Sequence, residues 1–477
     1  MATKAKLLKS VPFWIGPLAF ITFLILGWIN PSSAPEFNIA GILSWMIIWW
    51  VSEAVSIPVT AMLPMVFFPM LNIAPLKETA FNYGHPIIFL FMGGFFIAIA
   101  IEKWNLHERM ALHILRKTGS SEKGVLAGFM ISTALLSMWI SNTACTLMML
   151  PIAQSILLFI SRYHQHKSAL PVTLMLALSI SASIGGFMTL IGTPPNIVMS
   201  GMMKGMGHKS PDFAEWMIIA IPAGVIILWM TYQLLSKVLY KLQSVRVPEI
   251  EENIKERIKL SGKLDKNEKK VIIVFTCTAL LWILKDAINW ILKAEILDDT
   301  IIALLGGLTM FVLPSTQKDE NILEWRDVQK MPWNILLLFG GGLNVAAALE
   351  KSGVFSQMSD FVQNMNPGSI LLLVGFVAFL VVFASELMSN VALAAIIIPV
   401  IGGIAVYMKM EPALLVVPVT LAASCGFMLP IATPPNAIVY SSGHIKMKEM
   451  IRTGFWINLI SIIVITLVSH FLVPLVL

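Results

Sequence analysis

Charge is what this chain has least of, and its scarcity excludes the most. Of 477 residues, 13% are charged and 57% are hydrophobic. A soluble domain carries ~25% charged and ~45–50% apolar residues, so this chain has too little polar material to coat a soluble surface. Cysteine is also rare. Cys145, Cys277 and Cys425 lie in apolar segments with no CxxC or Cys/His spacing, and they read as small buried residues. The 8 histidines form no ligand cluster: His85, His107, His164 and His444 read as loop or interface residues, and His470 stands alone in the last apolar run. GxSxG, HExxH and a paired intramembrane aspartate are all missing, which argues against an enzyme. A net charge of +6 does not point to nucleic acid, because the basic residues cluster in loops between apolar runs.

Apolar runs are what the sequence has in abundance. Val11 to Ile29, Trp216 to Leu235, Val271 to Ile291 and Phe455 to Leu477 each approach the ~20 residues that cross a bilayer. The third is interrupted by Lys285-Asp286. The first follows Lys4, Lys6 and Lys9 but runs too long for a signal peptide and has no small-residue cleavage site. The chain therefore reads as an all-α polytopic protein integral to a plasma (inner) membrane, with the lipid bilayer as its surroundings.

Basic residues gather in particular loops: the N-terminus, the stretch from Lys103 to Lys123, Arg162 and Lys167, the loop Ser236 to Lys270, Lys318 to Lys330, and Lys446 to Arg452. The excess of Lys and Arg in cytoplasmic loops assigns this set to the inside. The N-terminus is then cytoplasmic and Leu477 external. Ser236 to Lys270 is mixed in charge and reads as a connector between halves, while LHERMALHILRK is amphipathic at helical spacing and reads as an interfacial arm helix.

The sequence also repeats itself. GGFFIAIAIEK at 93–103 returns as GGLNVAAALEK at 341–351. At the same offset of 248, Ser141-Asn142 meets Ser389-Asn390 and Pro151 meets Pro399. GTPPN at 192–196 meets ATPPN at 432–436. The span ending at Glu102 runs into a basic loop, whereas the span starting near Trp333 leaves one, so the halves are inverted. Inverted repeats with broken helices place a binding site at the midplane.

Gly124 to Ile160 is largely apolar, is flanked by Lys123 and Arg162, and is interrupted at its centre by Ser141, Asn142, Thr143 and Thr146. With both ends on one side it must enter and return, as a re-entrant hairpin with 141–143 at its tip. Ser369 to Tyr407 repeats the plan with Ser389-Asn390-Val391. Such backbone is tolerated at membrane depth only when buried in protein or lining a watery cavity. The helix that opens after each tip offers free N–H groups and a positive dipole end to an anion. The helix that ends before it offers carbonyls to a hard cation. Ser137 and Ser385 lie one turn before the tips on the same face. Thr193-Pro194 and Thr433-Pro434 break and restart a helix, since threonine caps and proline suits the first turn. The carbonyls of Gly192 and Ala432 are freed in the process.

SNT with GTPPN in one half, and SN with ATPPN in the other, resemble the divalent anion/sodium symporter family of di- and tricarboxylate transporters. WWVSEAVSIPVTAMLP at 49–64 and GHPIIFLFMGGF at 84–95 are also similar to family segments. The resemblance covers nearly the whole chain. It implies a homodimer of chains with about 11 transmembrane helices plus two re-entrant hairpins, and an elevator motion of a transport domain against a scaffold. On that plan 1–122 and 246–366 are scaffold, the latter with the cytoplasmic linker, and 123–245 and 367–477 form the transport domain.

The resemblance also implies sodium (Na+) as coupling ion. One sodium site would use Ser137, Ser141, Asn142 and Gly192; the other would use Ser385, the carbonyl of Met388, Asn390 and Ala432. The carboxylates of the substrate would sit on Ser141, Asn142, Thr143, Thr193, Ser389, Asn390 and Thr433, near Pro194 and Pro434. Val391 departs from the family pattern, because its side chain cannot donate the hydrogen bond that a threonine there would. The expected function is secondary active transport of C4-type dicarboxylates (succinate, malate, fumarate) coupled to sodium. The alternative is sodium-independent exchange of citrate or 2-oxoglutarate. Glu386, inside the second hairpin, reads as a structural hydrogen-bonding residue within that hairpin, with proton coupling as the other reading.

Overall fold

The computed structural model describes residues 11–163, 168–244, 248–317, 319–351 and 369–477. Lys4, Lys6, Lys9, His164, Lys167, Arg246 and Lys318 lie outside the described residues, as do the expected boundaries at 245–246 and 366–367. The described residues are helical, with one isolated bridge between Pro314 and Asn321.

The chain opens with a packed helix pair, α1 (Val11–Ile29) and α2 (Ala34–Ser52). Two short helices follow, α3 (Ile57–Ala61) and α4 (Leu63–Met70), then α5 (Leu76–Tyr83) and α6 (Pro86–Lys103). The arm helix α7 (Leu106–Thr118) is amphipathic as expected: Leu106, Ala111, Leu112 and Leu115 are buried, and Arg116 and Lys117 are exposed.

The first hairpin is α8 (Glu122–Ser137) and α9 (Asn142–Tyr163). The first broken helix is α10 (Leu170–Phe187) and α11 (Pro194–Gly205), followed by α12 (Phe213–Gln233). Next come α13 (Pro248–Leu260), α14 (Lys266–Leu292), α15 (Asp299–Val312) and α16 (Trp333–Lys351). The second hairpin is α17 (Ile370–Ala384) and α18 (Asn390–Tyr407). The second broken helix is α19 (Ala413–Ala423) and α20 (Pro434–Ser441), and α21 (Met447–Val476) closes the chain.

Among the described residues, 8 helices are long and apolar enough to cross a membrane. The rest of the apolar helices are shorter, as hairpin arms and half-helices must be. Val225, Trp229, Ile273, Ile283, Trp290 and Ile463 are exposed on α12, α14 and α21. Large apolar side chains facing outward suit a lipid solvent, which removes the drive to bury them. Cys277 follows the same rule. It is exposed on α14 rather than buried, while Cys145 and Cys425 are buried as expected.

The two halves interlock. Hairpin arm α9 packs on its own half's α10 but also on α20, and α18 packs on its own α19 but also on α11. Each restarted helix therefore rests against the other half's hairpin. Glycine brings other helices close, α10 to α8 within the first half and α6 to α15. A Cβ at Gly185 would lie 2.3 Å from the Ala134 carbonyl of α8, and one at Gly93 would lie 2.4 Å from the Ala303 carbonyl of α15.

Candidate functional site

The first hairpin turns at Met138–Ser141. Its arm α8 ends as Ile140 N–H bonds back to Leu136 O at 3.0 Å. Ser141 then caps α9, its Oγ accepting from Ala144 N at 3.3 Å. Ser141 is exposed, and Asn142 and Thr143 in the first turn are half-buried. In the second hairpin Ser389, Asn390 and Val391 hold the corresponding places and are half-buried, with no side-chain cap bond at Ser389. Both tips thus open a helix with free N–H groups, the arrangement that favours an anion.

The breaks behave alike. Thr193 and Thr433 sit in extended backbone just before Pro194 and Pro434. Thr433 accepts from Asn436 N at 3.3 Å, while Thr193 makes no side-chain cap bond. Both threonines are buried, Pro194 is half-buried and Pro434 is exposed.

Oxygen atoms crowd the first half. Ser137 Oγ lies 2.7 Å from Asn142 Oδ1 and 2.7 Å from the Ala182 carbonyl. One hydroxyl hydrogen cannot satisfy both acceptors. The cluster is rich in oxygen and short of protons, which is what a hard cation needs. The backbone closes around it: a Cβ at Gly186 would lie 2.2 Å from Asn142 Oδ1, and one at Gly192 would lie 2.3 Å from the Gly186 carbonyl. Ser137, Asn142, Gly186 and Gly192 are therefore brought together, and the exposed Ser141 hydroxyl stands at the edge.

The second half assembles the counterpart residues differently. Ser385 is buried and its Oγ donates to Val382 O at 2.8 Å. Gly426, which repeats Gly186, would place a Cβ 3.0 Å from Ser385 O and 3.2 Å from Ala432 Cβ. The buried Asn390 Oδ1 has no hydrogen-bond partner among the described residues. A buried, unpaired amide oxygen costs free energy unless something engages it, and a cation would. The donor set in both halves, hydroxyl and amide oxygens with backbone carbonyls, fits sodium. Met388 is half-buried between the hairpin and the core.

Two site residues escape a reading by side-chain type. Asn196 Nδ2 donates to Thr189 O at 2.7 Å and Phe187 O at 3.2 Å. Asn436 Nδ2 donates to Gly426 O and Leu429 O, each at 3.0 Å. These amides tie the stretch that leads out of each first half-helix to the start of the next and fix the shape of the break. Their recurrence at the same place in both TPPN motifs was the signal in the sequence. Glu386 departs from its expected place. Its bonds run outside the hairpin, to the Phe427–Leu429 backbone and to Asn458 of α21.

Among the described residues no group of three or more His, Cys, Asp or Glu could hold a metal. The tips 141–143 and 389–391 include no Lys or Arg.

The transmembrane region of sodium:sulfate symporters, taken as a family, matches residues 17–477. The chain is 37% identical over 471 residues to the sodium-dependent dicarboxylate transporter SdcS of Staphylococcus saprophyticus, covering 96% of this chain and 90% of that protein. The transporter of the same name from Staphylococcus aureus is 37% identical over 479 residues, covering 97% and 91%. Among solved structures, the YdaH transporter of Alcanivorax borkumensis matches with a TM-score of 0.57 at 11% identity, covering 84% of this chain and 89% of that one. That likeness concerns the fold alone.

Proposed function

Because this chain belongs to the sodium:sulfate symporter family, we propose that it carries C4-type dicarboxylates such as succinate, malate and fumarate across the membrane together with sodium. It is a transporter and not an enzyme, and sodium is its coupling ion, in keeping with the sodium-dependent dicarboxylate transporters it resembles.

One observation carries the substrate reading. In each half a helix N-terminus opens at a tip whose asparagine oxygen is short of a donor: Asn142 Oδ1 shares the single Ser137 hydroxyl hydrogen with the Ala182 carbonyl, and the buried Asn390 Oδ1 has no hydrogen-bond partner among the described residues. With no basic side chain at the tips, sodium ions supply the charge that offsets two carboxylates. One carboxylate would sit on Ser141, Asn142, Thr143 and Thr433, the other on Ser389, Asn390 and Thr193, with Pro194 and Pro434 bordering them. This pairing follows the packing of each restarted helix on the opposite hairpin. The first sodium would take Ser137, Ser141, Asn142 and Gly192. The second would take Ser385, the Met388 carbonyl, Asn390 and Ala432. Anion and cation then favour each other's binding.

The interlocked unit of both hairpins and both broken helices, 123–245 with 367–477, would move as one body against 1–122 and 246–366. A homodimer of such chains would anchor the second body in the bilayer, with the N-terminus cytoplasmic and the C-terminus external. Uptake of radiolabelled succinate into proteoliposomes tests the reading. We expect uptake with sodium outside and little with choline. Competition by citrate, 2-oxoglutarate and sulfate ranks the anions. Equal uptake with sodium and choline would sink the coupling, and counterflow without a sodium gradient would then favour exchange.

A further inference from the structure

Gly-Phe-Met occurs at the same place in both broken helices, as Gly186–Met188 and Gly426–Met428, yet the two copies fold differently. In the first half α10 stays helical to Phe187 and restarts at Pro194. In the second half α19 stops at Ala423 and restarts at Pro434. About one helical turn has come undone. Pro430, where the first half has Leu190, bars the helical conformation to Leu429 and removes one donor. It does not account for Ser424 to Met428.

Glu386 takes up the N–H groups at the far end of that stretch. Its Oε1 accepts from Phe427 N at 2.7 Å, Met428 N at 2.9 Å and Asn458 Nδ2 at 2.7 Å. Its Oε2 accepts from Met428 N and Leu429 N, each at 3.0 Å. In a continued helix those N–H groups would bond to the carbonyls of residues 423–425. The carboxylate takes them instead. In the first half the residue after the serine is Met138, which has no carboxylate, and the turn is tied by Thr189 Oγ1 donating to the Met138 carbonyl.

We propose that Glu386 is the positioning residue of the second sodium site, gathering the N–H groups of 427–429 so that the unwound turn beside Ser385 and Ala432 turns carbonyl oxygens to the ion, the Gly426 carbonyl with the lone pair that Asn436 leaves open. Gly426 already lies against both. The proposal rests on the sodium reading given above. It makes the two sodium sites unlike: the first is framed by a serine hydroxyl and a full helix end, the second by an unwound turn held open by a buried carboxylate.

Glu386→Gln keeps the shape but turns an amide NH2 toward N–H donors. We expect its sodium half-saturation in succinate uptake to rise by at least about tenfold, the worth of one charged hydrogen bond. The succinate half-saturation should rise at limiting sodium and return toward the wild-type value at high sodium. A residue that merely supports the fold would lower protein yield and thermal stability, and added sodium would not reverse the defect. Should Glu386→Gln fail to purify, Asn458→Leu removes a single donor and should move sodium half-saturation in the same direction by less. Sodium titrations that coincide with wild type in a folded variant overturn the proposal. A wild type without any sodium response would instead overturn the sodium reading itself, and this role with it.

Discussion

Lys285 of α14 reaches Asp212 at the start of α12, with Nζ 2.8 Å from Oδ2. Asp299 of α15 joins them, its Oδ1 3.2 Å from the same ammonium and its Oδ2 accepting from Phe213 N at 3.0 Å. The Phe213 ring stacks on Trp282 with centroids 4.1 Å apart. Trp139, two residues before the first hairpin tip, stacks on Phe213 at 6.0 Å. Lys285, Trp282 and Asp299 belong to the proposed scaffold, and Asp212, Phe213 and Trp139 to the proposed moving body. Any slide of one past the other has to break this contact.

Removing the cation alone leaves two carboxylates facing each other with little water. Lys285→Met should therefore destabilise the purified protein by about 2–4 kcal/mol. The double variant Lys285→Met with Asp299→Asn should recover part of the loss. Thermal unfolding in one detergent compares the three proteins, and an unchanged midpoint for Lys285→Met would refute the expectation.

Gly186→Ala puts a methyl group 2.2 Å from Asn142 Oδ1. Such overpacking costs about 1–3 kcal/mol, and here it displaces the amide of the first tip. Sodium-driven succinate uptake should fall close to background. Gly94→Ala serves as comparison, because its Cβ would lie no closer than 3.3 Å to its nearest neighbour, the Ile191 side chain. It should keep most uptake.

Val391→Thr restores a hydroxyl at the second tip, where Thr143 already provides one in the first. One added hydrogen bond is worth about 0.5–1.5 kcal/mol, so the half-saturation for succinate should fall roughly two- to tenfold. Competition curves against citrate and sulfate then report whether the extra donor also changes which anion is preferred.

Asp327 lies outside the spanning helices, in the turn Trp325–Lys330. Burial pushes its carboxyl up, but the Glu324 N–H and the Lys103 ammonium at 2.7 Å outweigh that and hold it below the usual carboxylate range. A depressed folded value contributes stability that is present above the unfolded value of ~3.9 and is lost as pH falls through the folded one. The thermal midpoint should therefore drop on acidification below about pH 4. Lys103→Met should make that drop shallower.

Much of the fold was legible because its signals are local or exactly repeated. Apolar runs announce spanning helices, since lipid leaves the backbone only its own partners. Ser141-Asn142 with Ser389-Asn390, and the two TPPN motifs, announce the hairpins and breaks through proline, serine and asparagine in otherwise apolar text. Cys277 was misread as buried because composition does not tell which face of an apolar helix meets lipid. The partners of Glu386 were misplaced for a similar reason. They lie 41–43 and 72 positions away, and no spacing rule reaches that far.

The sequence by itself determined an all-helical membrane protein of two inverted halves, each with a polar tip and a proline break, because those features follow from periodicity, charge bias and backbone chemistry at single positions. Only the tertiary structure decided that each restarted helix rests on the other half's hairpin, that Ser137, Asn142 and Ala182 crowd three oxygens around one proton, and that identical Gly-Phe-Met segments end differently. Those outcomes depend on which groups from distant segments meet. A buried donor bonds to whatever acceptor packing brings beside it, and at 427–429 that acceptor was a carboxylate rather than the next turn of helix.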